Sequence, residues 1–156
     1  MSVSLAKPFR KPIRLRSTVY NAIDREAAFY GEKAGTVANR IVEEELNKIE
    51  RVGIDHCIVR GSVAYKAISE SDRAEENYYI IPNKETITKQ LPSRGVADTS
   101  NQVSFYLSQK QMKLLECIVK IQNIVGTIDS DKILTLRYAI VGLMLNNEVL
   151  SEVEEM

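Results

Sequence analysis

The chain has one histidine, His56, and two cysteines, Cys57 and Cys117, among 156 residues. A Ser-His-Asp or Cys-His mechanism would have to be built on that single imidazole, and its neighbours in Asp55-His56-Cys57 are poor partners because adjacent side chains point apart. The cysteines form no C-x-x-C, so neither a zinc site nor a redox pair is expected, and both read as reduced core thiols. Long apolar runs are missing as well. The longest, Tyr138 to Leu145, is eight residues interrupted by Gly142, against about 20 for a bilayer span, so no membrane partner is expected. No continuous apolar segment follows the N-terminal charges, which argues against a secretory signal and for a cytoplasmic protein. Nor does one sign of charge prevail: Lys and Arg total 21, as do Asp and Glu. Only a local accumulation of charge can then attract a polyanion.

Such an accumulation exists. Met1 to Arg16 holds Lys7, Arg10, Lys11, Arg14 and Arg16 without an acid, whereas Glu148 to Met156 holds four acids and no base. With 44% hydrophobic residues, the chain can form the core of one compact domain or two very small ones.

An internal repeat organises it. In the first copy Ile13 and Leu15 alternate with Arg14 and Arg16, the period of a short strand with one apolar and one basic face. Pro12 puts that strand at a sheet margin or in a two-stranded ribbon. Ser17-Thr18 is placed to cap a helix over Val19 to Lys33, which Ala34-Gly35 ends. Thr36 is placed to cap a second helix, whose stripe Val37, Ile41, Val42, Leu46 and Ile49 lies opposite a solvated face at Glu43, Glu44 and Glu45. In the second copy Val103, Phe105 and Leu107 alternate with Gln102, Ser104 and Tyr106. Ser108 is placed to cap a helix carrying Met112, Leu115, Ile118 and Val119. Asp129 or Ser130 is placed to cap another, with Ile133, Leu136, Ala139, Ile140 and Leu143 buried, up to Asn146-Asn147. The expected plan is a basic arm over 1–9, a strand-helix-helix unit over 10–51, a partly structured connector over 52–100, a second unit over 101–146 and an acidic tail over 147–156. Within the connector, Ile54 to Ile68 reads as a short helix or strand, Ser69 to Asn77 as a surface excursion, Asn77 to Ile81 as a strand before Pro82 and Pro92 to Gly95 as a loop.

Enzyme signatures fail on inspection. Gly126 to Asp131 lacks the Gly-Lys-Ser/Thr of a phosphate loop and the Gly and distal Glu of a calcium loop, and Asp55, Glu75 and Glu76 have no partner at ligand spacing. No catalytic residue, metal or cofactor is expected.

Ile13-Arg14-Leu15-Arg16 with Thr18, Val19 and Ile23, and Val103 to Ser108 with Met112 and Leu115, resemble the ribbon-helix-helix family of bacterial repressors of the Arc and MetJ type. The tandem copy is similar to accessory DNA-binding proteins of conjugative-plasmid relaxosomes. The resemblance implies a mostly helical α+β fold whose strands pair as an antiparallel ribbon in the DNA major groove. A lone strand with two helices cannot bury its stripes or pair its backbone, so the ribbon must form within the chain, between 12–16 and 103–107, or between copies in a homo-oligomer. The groove-facing residues would be Arg14 and Arg16, with Arg10 and Pro12 as further candidates, and Gln102, Ser104 and Tyr106. Thr36 would grip a phosphate at a helix N-terminus, while Asp129 and Asp131 would repel one at Ser130. Double-stranded DNA would be the partner, alongside a relaxase or another plasmid protein, with transcriptional repression as the second role. A protein-interaction module, such as an antitoxin or assembly adaptor, is the alternative.

Overall fold

The computed structural model describes residues 7–68, 70, 77–91, 101–125 and 132–151, the side chains of 123–125 and 132–135 apart. They form a mixed α+β structure, mostly helical. Strand β1 (Phe9–Arg14) leads into helices α1 (Ser17–Tyr30) and α2 (Ala34–Val52). Short elements follow: β2 (Cys57–Val59), α3 (Val63–Ala67), β3 (Tyr79–Ile81) and α4 (Lys84–Lys89). Strand β4 (Gln102–Leu107) and helices α5 (Gln109–Val125) and α6 (Lys132–Leu145) then repeat the strand-helix-helix order. Among the described residues no helix is long and apolar enough to cross a membrane.

β1 and β4 pair antiparallel within the one chain, from Phe9 opposite Leu107 to Arg14 opposite Gln102. Leu15 continues the ladder by donating its N–H to the Asn101 carbonyl at 3.1 Å. Odd-numbered residues of β1 therefore turn their peptide groups toward β4, and even-numbered ones turn theirs to the open edge. Pro12 is even-numbered, so its missing N–H costs no ladder bond, which is how a proline fits in mid-strand. The inner face carries Ile13, Val103, Phe105 and Leu107, all buried. Removing Phe105 from water contributes about 1.5–3 kcal/mol. Helix α2 packs against β4, and α6 packs against α2, α4 and α5. Because α6 has neighbours on several sides, Ala139 through Leu145 is buried throughout, rather than along the single stripe expected for it.

Local chemistry sets several element ends. Gly31, at φ 67° and ψ 32°, closes α1 with its N–H on the Ala27 and Ala28 carbonyls, a left-handed geometry that favours glycine. Ser108 and Gln111 form a reciprocal capping box at α5: Gln111 N–H donates to Ser108 Oγ at 3.1 Å, and Ser108 N–H to Gln111 Oε1 at 2.9 Å. Other ends differ from expectation. No side chain of Ser17 or Thr18 caps α1, whose N-cap is Arg16. Helix α1 ends at Tyr30 rather than at Ala34-Gly35, because Gly31 supplies the turn. Helix α2 thus starts two residues before Thr36, with Lys33 as its N-cap. Asp129, Ser130 and Asp131 lie outside the described residues, as do most of Ser69 to Asn77 and all of Pro92 to Gly95.

The stretch read as a connector is part of the core. β2 and β3 pair in parallel, and Cys57, Val59, Tyr79, Ile81 and Ile87 are buried. Cys57 is a buried free thiol, whereas Cys117 is only half-buried. The span read as an acidic tail begins inside the fold: Asn147 is buried and Leu150 is fully buried in a short 3-10 turn.

Glu45 corrects the solvated-face reading of Glu43 to Glu45, since only 1% of it is exposed. Its carboxylate accepts from Tyr79 Oη at 2.8 Å, from Asn147 Nδ2 at 2.9 Å and from Lys48 Nζ at 2.9 Å. A buried carboxylate persists only with such donors. The spacing Ile41, Glu45, Ile49 already places it within the apolar stripe.

Candidate functional site

Antiparallel pairing puts directly opposed residues on the same face of a ribbon. The register therefore brings Arg10 beside Tyr106, Pro12 beside Ser104 and Arg14 beside Gln102 on the outer face of β1–β4. Arg10, Pro12, Gln102 and Tyr106 are exposed, and Arg14 and Ser104 half-buried. Phe9, Lys11 and Ile13 belong to the opposite face by alternation. Five of the seven residues expected at a site, Arg10, Arg14, Gln102, Ser104 and Tyr106, thus share one surface with Pro12.

Arg16 does not join them. The chain leaves the strand at Leu15, whose side chain is fully buried, and begins α1 at Ser17, so the alternation that would have aligned Arg16 with Arg14 stops. Its guanidinium Nη1 donates instead to the Lys89 carbonyl at the last residue of α4. Thr18 Oγ1 donates to Gln90 Oε1 at 2.9 Å, and Asn101 Nδ2 to Ser17 Oγ at 3.2 Å, so the start of α1 is anchored to the segments before β4. A cation at a helix C-terminus is a favourable placement, which accounts for the arginine there.

A groove of about 740 Å³ runs between β4 and the N-terminus of α2. Gln102, Ser104 and Tyr106 form one wall, Ala34, Gly35 and Thr36 another, and the charged groups are Lys7, Lys33 and Arg40 with one acid, Glu43. Thr36 lies in the first turn of α2, and its N–H is engaged by the Lys33 carbonyl at 3.1 Å, so Thr36 lines the groove without capping the helix. Arg40 is held by a bidentate pair with Glu32, at 2.8 and 2.9 Å, which keeps the Glu32 carboxyl below its ordinary range. Lys7 reaches Glu43 at 3.4 Å, so the basic arm is tied to α2 at that point. Lys33 and Arg40 were missed in the sequence because they lie in or beside helix turns rather than in the alternating strands.

Asn39 joins the two walls. Its Nδ2 donates to the Ser104 carbonyl at 3.0 Å and to the Gly35 carbonyl at 2.8 Å, and its Oδ1 accepts the Tyr106 N–H at 2.9 Å. The arrangement presents guanidinium, amide, hydroxyl and phenol groups in a row, flanked by Lys33, by the ion-paired Lys7 and Arg40, and by a helix N-terminus. Such a row can donate hydrogen bonds to a polyanion's edges and phosphates; it has no nucleophile and base in contact. No protein-family model, curated protein or solved structure matches the chain, so no relative supplies a function for this ribbon.

Proposed function

We propose that the chain is a sequence-specific double-stranded DNA-binding protein that inserts the β1–β4 ribbon in the major groove, its two strand-helix-helix units forming a ribbon-helix-helix fold within one chain. The single observation that carries this reading is the outer face of the ribbon, where Arg10, Arg14, Gln102, Ser104 and Tyr106 converge from segments about 90 residues apart. A two-stranded ribbon fits a major groove about 12 Å wide, and arginine and glutamine form bidentate bonds to guanine and adenine there. The α2 N-terminus beside Lys33 and Thr36 suits a flanking phosphate. Two roles use that activity: a plasmid or mobile-element accessory protein at a relaxosome or origin, with a relaxase or another plasmid protein as partner, and a transcriptional repressor. Homo-oligomers would add contacts along the duplex.

Selection from randomised duplexes at two salt concentrations tests the proposal, with wild type compared against Arg10→Ala/Arg14→Ala. The expected result is an enriched sequence, affinity that falls steeply with salt, and a loss of about 1–3 kcal/mol for each base-reading arginine. A pool without enrichment, bound alike by both proteins, would overturn it. The second reading, a protein-interaction module, is favoured by one feature: Phe29 and Tyr30 are 80% and 59% exposed, with their rings edge to face at 4.9 Å.

A further inference from the structure

We infer that the ribbon reads a non-palindromic DNA element in one fixed orientation, an inference that rests on the DNA-reading proposal above. The repeat places a local two-fold axis through the Pro12–Ser104 pair. Rotation about it exchanges Arg10 with Gln102 and Arg14 with Tyr106, and the same sequence offset relates the helix starts at Ser17 and Gln109. The symmetry thus holds for the backbone of the ribbon and the starts of the first helices, and not for the side chains. At one end of the ribbon Arg14 sits beside Gln102, a pair suited to guanine O6 and N7 and to adenine N6 and N7. At the other end Arg10 sits beside Tyr106, where the second group is an exposed phenol ring suited to a thymine methyl.

The centre adds little discrimination. Pro12 has no polar side-chain group and Ser104 is short, and its hydroxyl can donate to an acceptor or accept from a donor on any base edge. The two ends are four residues apart along each strand, roughly 13 Å, or about four base pairs at 3.4 Å each. The target is therefore a guanine and adenine step separated by about four base pairs, centre to centre, from a guanine and thymine step. A duplex carrying it offers its two orientations unequally to the protein. An ordinary two-fold homodimer has no such preference, because identical strands present identical ends.

Selection with the full chain decides the matter when wild type is run beside Gln102→Arg/Tyr106→Arg. That double variant gives the two ends the same arginine pair at two exposed positions of the ribbon. Wild type should enrich a non-palindromic sequence, and the double variant a palindromic one with guanine at both ends. Gln102→Ala should lose roughly five- to hundredfold in affinity for the duplex wild type selects, and its base preference should relax at the Arg14 end alone. A palindrome enriched by wild type would overturn the inference while leaving DNA reading intact, as would an unchanged non-palindrome with the double variant. No enrichment by wild type would sink the DNA-reading proposal itself. Matching thermal midpoints for wild type and double variant establish that both are folded.

Discussion

Asn39 meets Tyr106 not through its ring but through its backbone: the Asn39 carboxamide Oδ1 accepts the Tyr106 N–H at 2.9 Å, while Nδ2 of the same group donates to the Ser104 carbonyl at 3.0 Å. One side chain thereby does on the open edge of β4 what the peptide of a third strand would do. It fixes the ribbon to α2 and occupies part of an edge that would otherwise invite another chain.

Asn39→Ala should therefore lower stability by about 1–3 kcal/mol, because two backbone groups lose their partner. Urea denaturation measures the loss. Asn39→Asp should recover part of it, since its carboxylate still accepts from Tyr106 N–H but cannot donate to Ser104. Equal midpoints for the alanine variant and wild type would mean that water replaces the amide without cost.

Removing the Glu45 carboxylate should cost more. Glu45→Ala leaves the Tyr79 hydroxyl without its carboxylate acceptor and takes from the Asn147 amide the shorter of its two, Glu44 remaining at 3.3 Å, so a loss of about 1–3 kcal/mol for each group is expected in chemical denaturation. Glu45→Gln should cost less than Glu45→Ala, as its amide oxygen still accepts one of those bonds. Equal losses for the two variants would show that the charge itself, not the hydrogen bonds, holds β3 to α2.

Alkaline pH should unfold the protein early. Burial pushes the Cys57 thiol up to about 12 from 9.0, and burial first, then the charge of Glu45, raises the Tyr79 phenol above its ordinary 10.0. Both raised groups favour the protonated, folded state. Their stabilisation is complete below pH 9 and falls as pH climbs, because the unfolded chain ionises first. The denaturation midpoint should hold from pH 7 to 9 and drop from there toward 12. Cys57→Ala should delay the onset of that drop into the phenol's range, whatever it does to stability at pH 7.

Arg16 and Arg14 should separate cleanly in their effects. Arg16→Ala removes a bond to the end of α4 and should lower the thermal midpoint while leaving the selected DNA sequence unchanged. Arg14→Ala should change the preferred base at one position. A changed base preference in Arg16→Ala would place that guanidinium in the groove after all.

The alternation of Val103, Phe105 and Leu107 with Gln102, Ser104 and Tyr106 was legible without coordinates, because side chains of a strand point to opposite faces in turn whatever it pairs with. The capping box at Ser108 and Gln111 is equally local, needing only three residues of spacing. Arg16 was not legible, since its alternation with Arg14 holds only as far as the strand runs. Glu45 was hidden by its two acidic neighbours, although its distance of four residues from both Ile41 and Ile49 set it among the buried positions.

Sequence alone determined the order strand, helix, helix, taken twice, and the polar faces those strands would carry, because each depends on periods of two and about 3.6 residues. Tertiary structure decided which strand meets which and in what register, and with it the neighbours Arg14 with Gln102 and Arg10 with Tyr106. It also decided that the middle of the chain completes the core through Val59, Ile81 and Ile87. The physical reason is the same for both: pairing and burial between distant segments depend on the whole set of apolar surfaces competing to leave water, and no short window of residues contains that competition.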